Sequence, residues 1–246
     1  MMVFAQISDI HLDGGRHRFD RAAAVVSYLN GLRAPLAAVL VTGDIADHGL
    51  PAEYQQARDL LATSPHPVFC CPGNHDQRPA FREGLLDHPA SDTPINQAHR
   101  TEHALFALCD STIPGRSDGK LADETIAWLD GVLAEDPDLP AFVCCHHPPL
   151  GLRSPFIDDI RQTGEQRLAD LLARHPQVVA ILCGHAHTPA ATTFAGRPLL
   201  VSPGVASTLV LPWEQGDLLT DAVPPGLAFH VLDDERRLTT HYRVVA

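Results

Sequence analysis

Five short stretches carry side chains able to hold a divalent metal: Asp9 and His11 in "DIH", Asp44 in "GDIAD", Asn74 and His75 in "GNHD", His146 in "HHP", and His185 and His187 in "GHAH". The set joins two carboxylates and a carboxamide to four or five imidazoles and contains no thiolate. Imidazole nitrogen mixed with hard oxygen suits manganese, iron, zinc or cobalt better than magnesium or calcium. Seven such side chains exceed the needs of one tetrahedral ion, so two ions sharing a carboxylate is the economical arrangement. Taken singly, each residue has a plainer role. Asp44 fits a cap or turn, Asn74 a turn, and a strand-end histidine such as His146 or His147 an ordinary hydrogen bond. Recurrence at five separate places argues against five independent structural coincidences. Asp47, His48 and Asp76 read as turn or cap residues, or as residues that orient the ligands.

Each stretch sits at the end of an apolar run. "VFAQIS" leads to Asp9 and His11, "LAAVLVT" to Asp44, "PVFCC" to Asn74 and His75, "AFVCC" to His146 and "VVAILC" to His185 and His187, with "ALFALC" as a sixth run. Runs this uniformly apolar belong to sheets covered on both faces. The carboxyl ends of strands in an open α/β sheet share one edge, where ligand sites form. Side chains at i and i+2 of an extended segment face the same way, so 9 with 11 and 185 with 187 are expected to converge. Helical spacing recurs between the runs: Ala22, Val25, Val26, Leu29 and Leu32, then Tyr54, Ala57, Leu60 and Leu61 behind Pro51. Further helices are expected near 121–135 and 164–174. From about residue 190, "RPLLVSPG", "GLAFHVLDD" and "RLTTHYRVV" read as antiparallel strands, with "ERR" beside a tight turn. Residues 212–225, "PWEQGDLLTDAVPP", read as a long surface loop.

The 246 residues show no repeat or interdomain linker and are read as one domain, 1–246. A net charge of −12 gives no general attraction to nucleic acid or anionic membranes. No apolar stretch reaches the roughly 18 residues of a membrane span, and "MMVFAQISDIH" lacks the basic start and cleavage site of a secretory signal. The six cysteines lie in or at the ends of apolar runs with no CxxC pair, as expected of reduced thiols in the cytoplasm.

In these residues the chain resembles a calcineurin-like metallophosphoesterase. The pattern DxH, GDxxD, GNH(D/E), HxP and GHxH appears in order as "DIH", "GDIAD", "GNHD", "HHP" and "GHAH", from Asp9 to His187. The resemblance implies an α/β fold, a four-layer αββα sandwich of two mixed sheets flanked by helices. It implies one divalent transition metal on Asp9, His11 and His187 and a second on Asn74, His146 and His185, with Asp44 bridging. In "HHP" the family ligand stands two positions before proline, which selects His146. His75, with Asn74, takes the catalytic and substrate-binding position against the phosphate. The implied chemistry is in-line attack on phosphorus by hydroxide held between the ions. Longer stretches such as "TGDIADHGLPAEY", "PGNHDQRPAFREGL" and "DSTIPGRSDGKLADETIAWL" resemble bacterial class III cyclic-nucleotide phosphodiesterases and, nearly as closely, glycerophosphodiesterases. "STLVLPW" near residue 208 departs from the more polar segment of the latter. A small phosphodiester, cyclic AMP above others, is the expected substrate. A glycerophosphodiester or a broad range of phosphodiesters and phosphomonoesters is the alternative, followed by a nuclease and a non-catalytic scaffold. Trp213 in the long loop is a candidate for stacking on a nucleobase or for a contact within a homodimer or higher homo-oligomer.

Overall fold

The computed structural model describes residues 1–246. The first half opens with β1 (Met2–Ile7), α1 (Arg16–Asn30), β2 (Val39–Thr42), α2 (Pro51–Leu61), β3 (Val68–Cys71) and α3 (Arg78–Leu85). There follow β4 (Gln97–Arg100), β5 (Leu105–Leu108), β6 (Gly119–Lys120), α4 (Asp123–Ala134), β7 (Ala141–Cys144), α5 (Pro155–Asp159), β8 (Gln162–Thr163), α6 (Glu165–Arg174) and β9 (Val178–Cys183). The chain closes with β10 (Ala190–Phe194), β11 (Arg197–Val201), β12 (Thr208–Leu209), β13 (Leu219–Thr220), β14 (Gly226–Leu232) and β15 (Leu238–Val244).

Two mixed sheets result. One runs β15-β14-β1-β2-β3, with β1, β2 and β3 parallel and the β14–β15 hairpin added antiparallel to β1. The other runs β10-β11-β9-β7-β5-β4, parallel from β5 to β11, with antiparallel β4 and β10 at its edges. Alternation along the strands explains why they stack in four layers. Ala5, Ile7, Val39 and Val41 face α1, α2 and α3 in one apolar cluster. Phe4, Leu40, Phe106, Phe142 and Leu182 point the other way and fill the space between the sheets. Ala107, Val143 and Ile181 turn outward again onto Leu129 and Leu133 of α4 and Leu168 and Leu172 of α6. Every apolar run thus buries both its faces, the property that made the runs non-alternating.

Two expectations need correction. β11 pairs parallel with β9 as well as antiparallel with β10, because "RPLLV" extends the parallel sheet by one strand before the chain reverses. The 212–225 stretch is not wholly irregular: Leu219–Thr220 returns to pair with Thr208–Leu209, so the stretch is the turn and second strand of a short hairpin. The elements missing from the sequence reading, α3, β4, β6, α5, β8, β10, β12 and β13, are short and carry at most one buried apolar side chain each.

A buried polar seam joins the sheets below the strand ends. The Gln6 carboxamide is fixed by two bonds, Nε2 donating to Thr42 Oγ1 at 2.9 Å and to the Cys183 carbonyl at 2.8 Å. Its Oε1 therefore accepts from His230 Nε2 at 3.0 Å, and His230 Nδ1 accepts from Thr240 Oγ1 at 2.9 Å. Burial pushes the His230 imidazole down to about 3, so it stays neutral in this seam.

Candidate metal centre

The strands stop short of the ligand candidates. β1 ends at Ile7 and β9 at Cys183, and the next residues turn sharply. Asp9, His11, Asp44, His185 and His187 have φ of 56°, 47°, 49°, 70° and 50°. These five are more than half of the nine non-glycine residues with positive φ. The i, i+2 pairs converge through left-handed turns, then, and not through strand alternation as the sequence suggested. Such conformations cost roughly 1–2 kcal/mol per residue and persist where the surroundings dictate them, commonly at functional sites. Close packing explains two motif glycines. A Cβ on Gly43 (φ +94°) would lie 2.4 Å from His146 Nδ1, and one on Gly184 would lie 1.8 Å from Ser8 Oγ.

The structure brings seven expected ligands together. His11 Nε2 lies 3.2 Å from His187 Nε2 and 3.4 Å from Asp44 Oδ2, and His187 Nε2 lies 3.4 Å from Asp9 Oδ1. On the other side of Asp44, its Oδ2 is 3.3 Å from His146 Nε2, which is 3.2 Å from His185 Nδ1. Asp44 thus stands between two imidazole groups. Asp9, His11 and His187 form one set compact enough for a metal ion, and Asp9, Asp44 and His146 another. The side chains of Asp9 and His146 are fully buried and that of Asp44 nearly so.

Hydrogen bonds aim the histidines. His11 Nδ1 donates to Asp47 Oδ1 at 2.9 Å, His146 Nδ1 to the Thr42 carbonyl at 2.8 Å, and His187 Nδ1 to Ser207 Oγ at 2.9 Å. In all three Nε2 is left facing the centre, the orientation a metal-binding histidine requires. His147 is different: Ser111 Oγ lies 2.8 Å from its Nδ1 and the Ser117 carbonyl 3.1 Å from its Nε2. With both ring nitrogens engaged, His147 ties the 111–117 loop to the strand end. Asp47 also receives Arg18 at 2.5 Å. Asp76 accepts the backbone N–H groups of Ile45, Ala46 and Gly73 and the Tyr54 hydroxyl, holding "GDIAD" against "GNHD". His48 bonds Glu53 at the start of α2.

Charge and burial pull these groups apart. Burial lowers the His11 and His146 imidazoles, but the carboxylates around them prevail. The Asp47 bond raises His11 further, and Asp44 brings His146 up to about 9. Asp44 is desolvated, yet His146, His11 and His75 hold it well below the usual carboxylate range. Burial depresses His185 and His187, leaving them neutral. Asp76 goes the other way, to about 6, through burial and the nearby Asp44 charge.

Two buried atoms decide whether a metal fits. Asn74 Oδ1 and His185 Nε2 have no hydrogen-bond partner. Buried polar atoms are otherwise almost always satisfied. Together with the His11 and His187 ring nitrogens 3.2 Å apart, they form a donor set that a cation would complete. The residues fit divalent metal.

Above this floor lies a cleft of about 540 Å³. His75 lines it, with Nδ1 2.7 Å from the Asp47 carbonyl, its ring edge-on to His11 at 4.6 Å, and its side chain 42% exposed. Phe156, Ile160 and Leu219 also line it, and the sequence reading did not single them out. Trp213 does not: it lies in the turn between β12 and β13, 71% exposed.

An αββα sandwich with paired histidine and carboxylate clusters at its strand ends defines a metal-dependent phosphoesterase. Residues 2–189 match the calcineurin-like phosphoesterase family, and the chain belongs to it. A glycerophosphodiester phosphodiesterase of Enterobacter lignolyticus is 35% identical over 240 residues, 93% of this chain and 86% of that protein. A 3′,5′-cyclic adenosine monophosphate phosphodiesterase of Escherichia coli is 28% identical over 250 residues, 98% of this chain and 89% of that one. Among solved structures, a dimetal phosphatase from Danio rerio superposes with a TM-score of 0.76 over 100% of this chain and 96% of its own, at 15% identity. The fold is therefore the expected one. The family uses two divalent metal ions, and the chain is a phosphodiesterase-type hydrolase.

Proposed function

We propose that the protein hydrolyses small phosphodiesters, 3′,5′-cyclic nucleotides foremost, with Asp9, His11 and His187 holding one metal, Asn74, His146 and His185 the second, and Asp44 both. The observation that carries this reading is the placement of Asp44 between two facing imidazole groups, 3.4 Å from His11 and 3.3 Å from His146. Two bound divalent ions, manganese, iron, zinc or cobalt, would supply Lewis-acid polarisation of the phosphoryl group and lower the pKa of water to about 7.

The chain's own residues then position and protonate. His11, His146 and His187 are oriented through Nδ1 by Asp47, Thr42 and Ser207, which leaves Nε2 of each toward the centre. Asp76, by fastening the Asp44 and Asn74 loops together, sets the spacing between the two halves of the centre. His75, with Nδ1–H on the Asp47 carbonyl, is the group that gives a proton to the departing oxygen. Water attacks as hydroxide, its proton passing to solvent; as its oxygen bonds to phosphorus the ester P–O bond breaks, the leaving alkoxide takes the His75 proton and His75 regains one from solvent, so that a cyclic nucleotide leaves as a nucleoside monophosphate. A well-placed general acid contributes roughly 10²–10⁴-fold.

A second reading, glycerophosphodiesters, is favoured by the 35% identity to the Enterobacter enzyme. We place the chain, as one catalytic domain, in the cytoplasm, supported by six unpaired, buried cysteines. No helix is long and apolar enough to cross a membrane. Metal analysis with a substrate panel tests the proposal: two ions per chain and faster turnover of cyclic AMP than of glycerophosphoethanolamine, an aryl phosphomonoester or DNA are expected. Turnover of the monoester or DNA alone would sink it.

A further inference from the structure

Resting on the phosphodiesterase reading, we infer that Phe156, Ile160 and Leu219 form the side of the cleft that receives the uncharged planar substituent of the substrate, a nucleobase, and so determine selectivity. All three line the cleft above the metal centre. Phe156 is 48% and Leu219 44% exposed, large apolar side chains facing a cavity whose floor is entirely polar. An apolar wall beside a few placed polar groups is how small-molecule sites combine affinity with orientation.

Both pieces of the wall are anchored, so the surface is preformed. Ile157, buried in the second apolar cluster, fixes α5 from below, and Asp158 Oδ1 accepts the Leu152 N–H at 2.6 Å. On the other side Arg21 donates to the carbonyls of Val205, Asp221 and Val223 at 2.9, 2.9 and 2.8 Å, holding both ends of the hairpin to α1. Leu209 anchors β12 in the same apolar cluster as Ile157.

Charge excludes other occupants. The basic side chains beside the wall are engaged: Arg18 with Asp47 at 2.5 Å and His17 with Asp221 at 2.9 Å. The cleft has no unpaired arginine or lysine for a second phosphate or a carboxylate, and Asp221 would repel either. A glycerol or ethanolamine group would leave the exposed faces of Phe156 and Leu219 in water. A purine or pyrimidine ring covers them, and the Thr220 hydroxyl, which accepts from the Ala222 N–H at 3.2 Å, keeps its proton to offer to a ring nitrogen or carbonyl. Stacking a base on such a side chain changes affinity by roughly tenfold.

The test uses the metal-loaded full chain and the variants Phe156→Ala, Leu219→Ala, the double variant and Phe156→Tyr. Steady-state kinetics are taken with cyclic AMP, bis(p-nitrophenyl) phosphate and glycerophosphoethanolamine, and AMP binding is measured by calorimetry. Each alanine variant should raise KM for cyclic AMP and Kd for AMP about tenfold with kcat within about threefold, and Phe156→Tyr should restore both. KM for glycerophosphoethanolamine should stay within about twofold. An unchanged KM and Kd in the double variant, or an equal rise for all three substrates, overturns the assignment. If the wild type cleaves the aryl diester but not cyclic AMP, the cyclic-nucleotide reading fails by itself. The wall is then judged by the KM for the aryl diester and the Kd for AMP.

Discussion

The floor of the cleft is buried and hydrogen-bonded residue by residue, whereas its outer wall is half exposed and built from the five-residue α5 and a hairpin of two-residue strands. On the floor, five residues hold left-handed conformations and three imidazoles are each fixed through Nδ1. On the wall, side chains are held by what lies beneath and beside them, Ile157, Leu209, the Asp158 bond to Leu152 and the three Arg21 bonds. The difference teaches where tolerance ends. Reaction chemistry needs atoms placed to a few tenths of an ångström, so its residues are locked by neighbours. Selectivity among substrates needs a surface of the right character, which irregular segments can supply and vary.

The sharpest way to break this contrast is Asp44→Ala. Asp44 stands between both imidazole groups and also accepts the His75 backbone N–H at 2.9 Å. Its loss should strip both metals together and lower kcat/KM at least about 10³-fold, a loss of several kcal/mol of transition-state stabilisation. Elemental analysis of the variant is the check: two tightly retained ions would remove Asp44 from its bridging place.

Asp47→Ala tests whether the locking matters as much as the ligands. Asp47 holds the tautomer of His11 and, through its carbonyl, His75. A partner of this kind typically accounts for 10–100-fold in metal affinity or activity. The variant should keep its fold, lose affinity at one metal more than the other, and retain more activity than Asp44→Ala. Equal affinity at both sites, measured by competition with a chelator, would show that Asp47 serves Arg18 and not the centre.

The floor was legible in the sequence because each ligand follows an apolar run that could only be a buried strand, and short motifs name the residues. What the sequence misread was the cause of convergence. A left-handed φ at Asp9 or His187 is only weakly signalled by residue type, Asp and His being enriched there without requiring it, so strand alternation was invoked for what turns accomplish. The choice between His146 and His147 rested on resemblance, and the Ser111 and Ser117 bonds to His147 that distinguish them depend on a loop more than thirty residues away. The wall was not legible at all. α5 is five residues long with one buried side chain, too short for any periodicity, and Leu219 belongs to a strand of two.

Below the floor, the seam of Gln6 and His230 offers a prediction about stability. His230 stays neutral to about pH 3 in the folded chain but titrates near 6.5 when unfolded. Between those values the unfolded state binds one more proton, so this residue makes stability fall as pH drops below 6.5, by about 1.4 kcal/mol per unit once the unfolded histidine is protonated. Replacing it by glutamine should flatten that dependence. Denaturant titrations at pH 7.5 and 5.0 should show the wild type losing about 2 kcal/mol more than His230→Gln across that interval. An equal loss in both proteins would mean that the seam admits a charged imidazole.

The smallest effect belongs to the residue that looked most suited to binding a base. Trp213 is 71% exposed in the turn beyond β12 and is not among the residues that line the cleft. Trp213→Ala should leave kcat/KM for cyclic AMP within about twofold, since a surface substitution clear of packing and hydrogen bonds changes little. The comparison between floor and wall becomes sharper if it does, because selectivity then lies with anchored side chains and not with the largest aromatic nearby. A tenfold rise in KM on removing Trp213 would mean that the hairpin folds over the bound substrate, and the wall would then be a moving part and not a preformed surface.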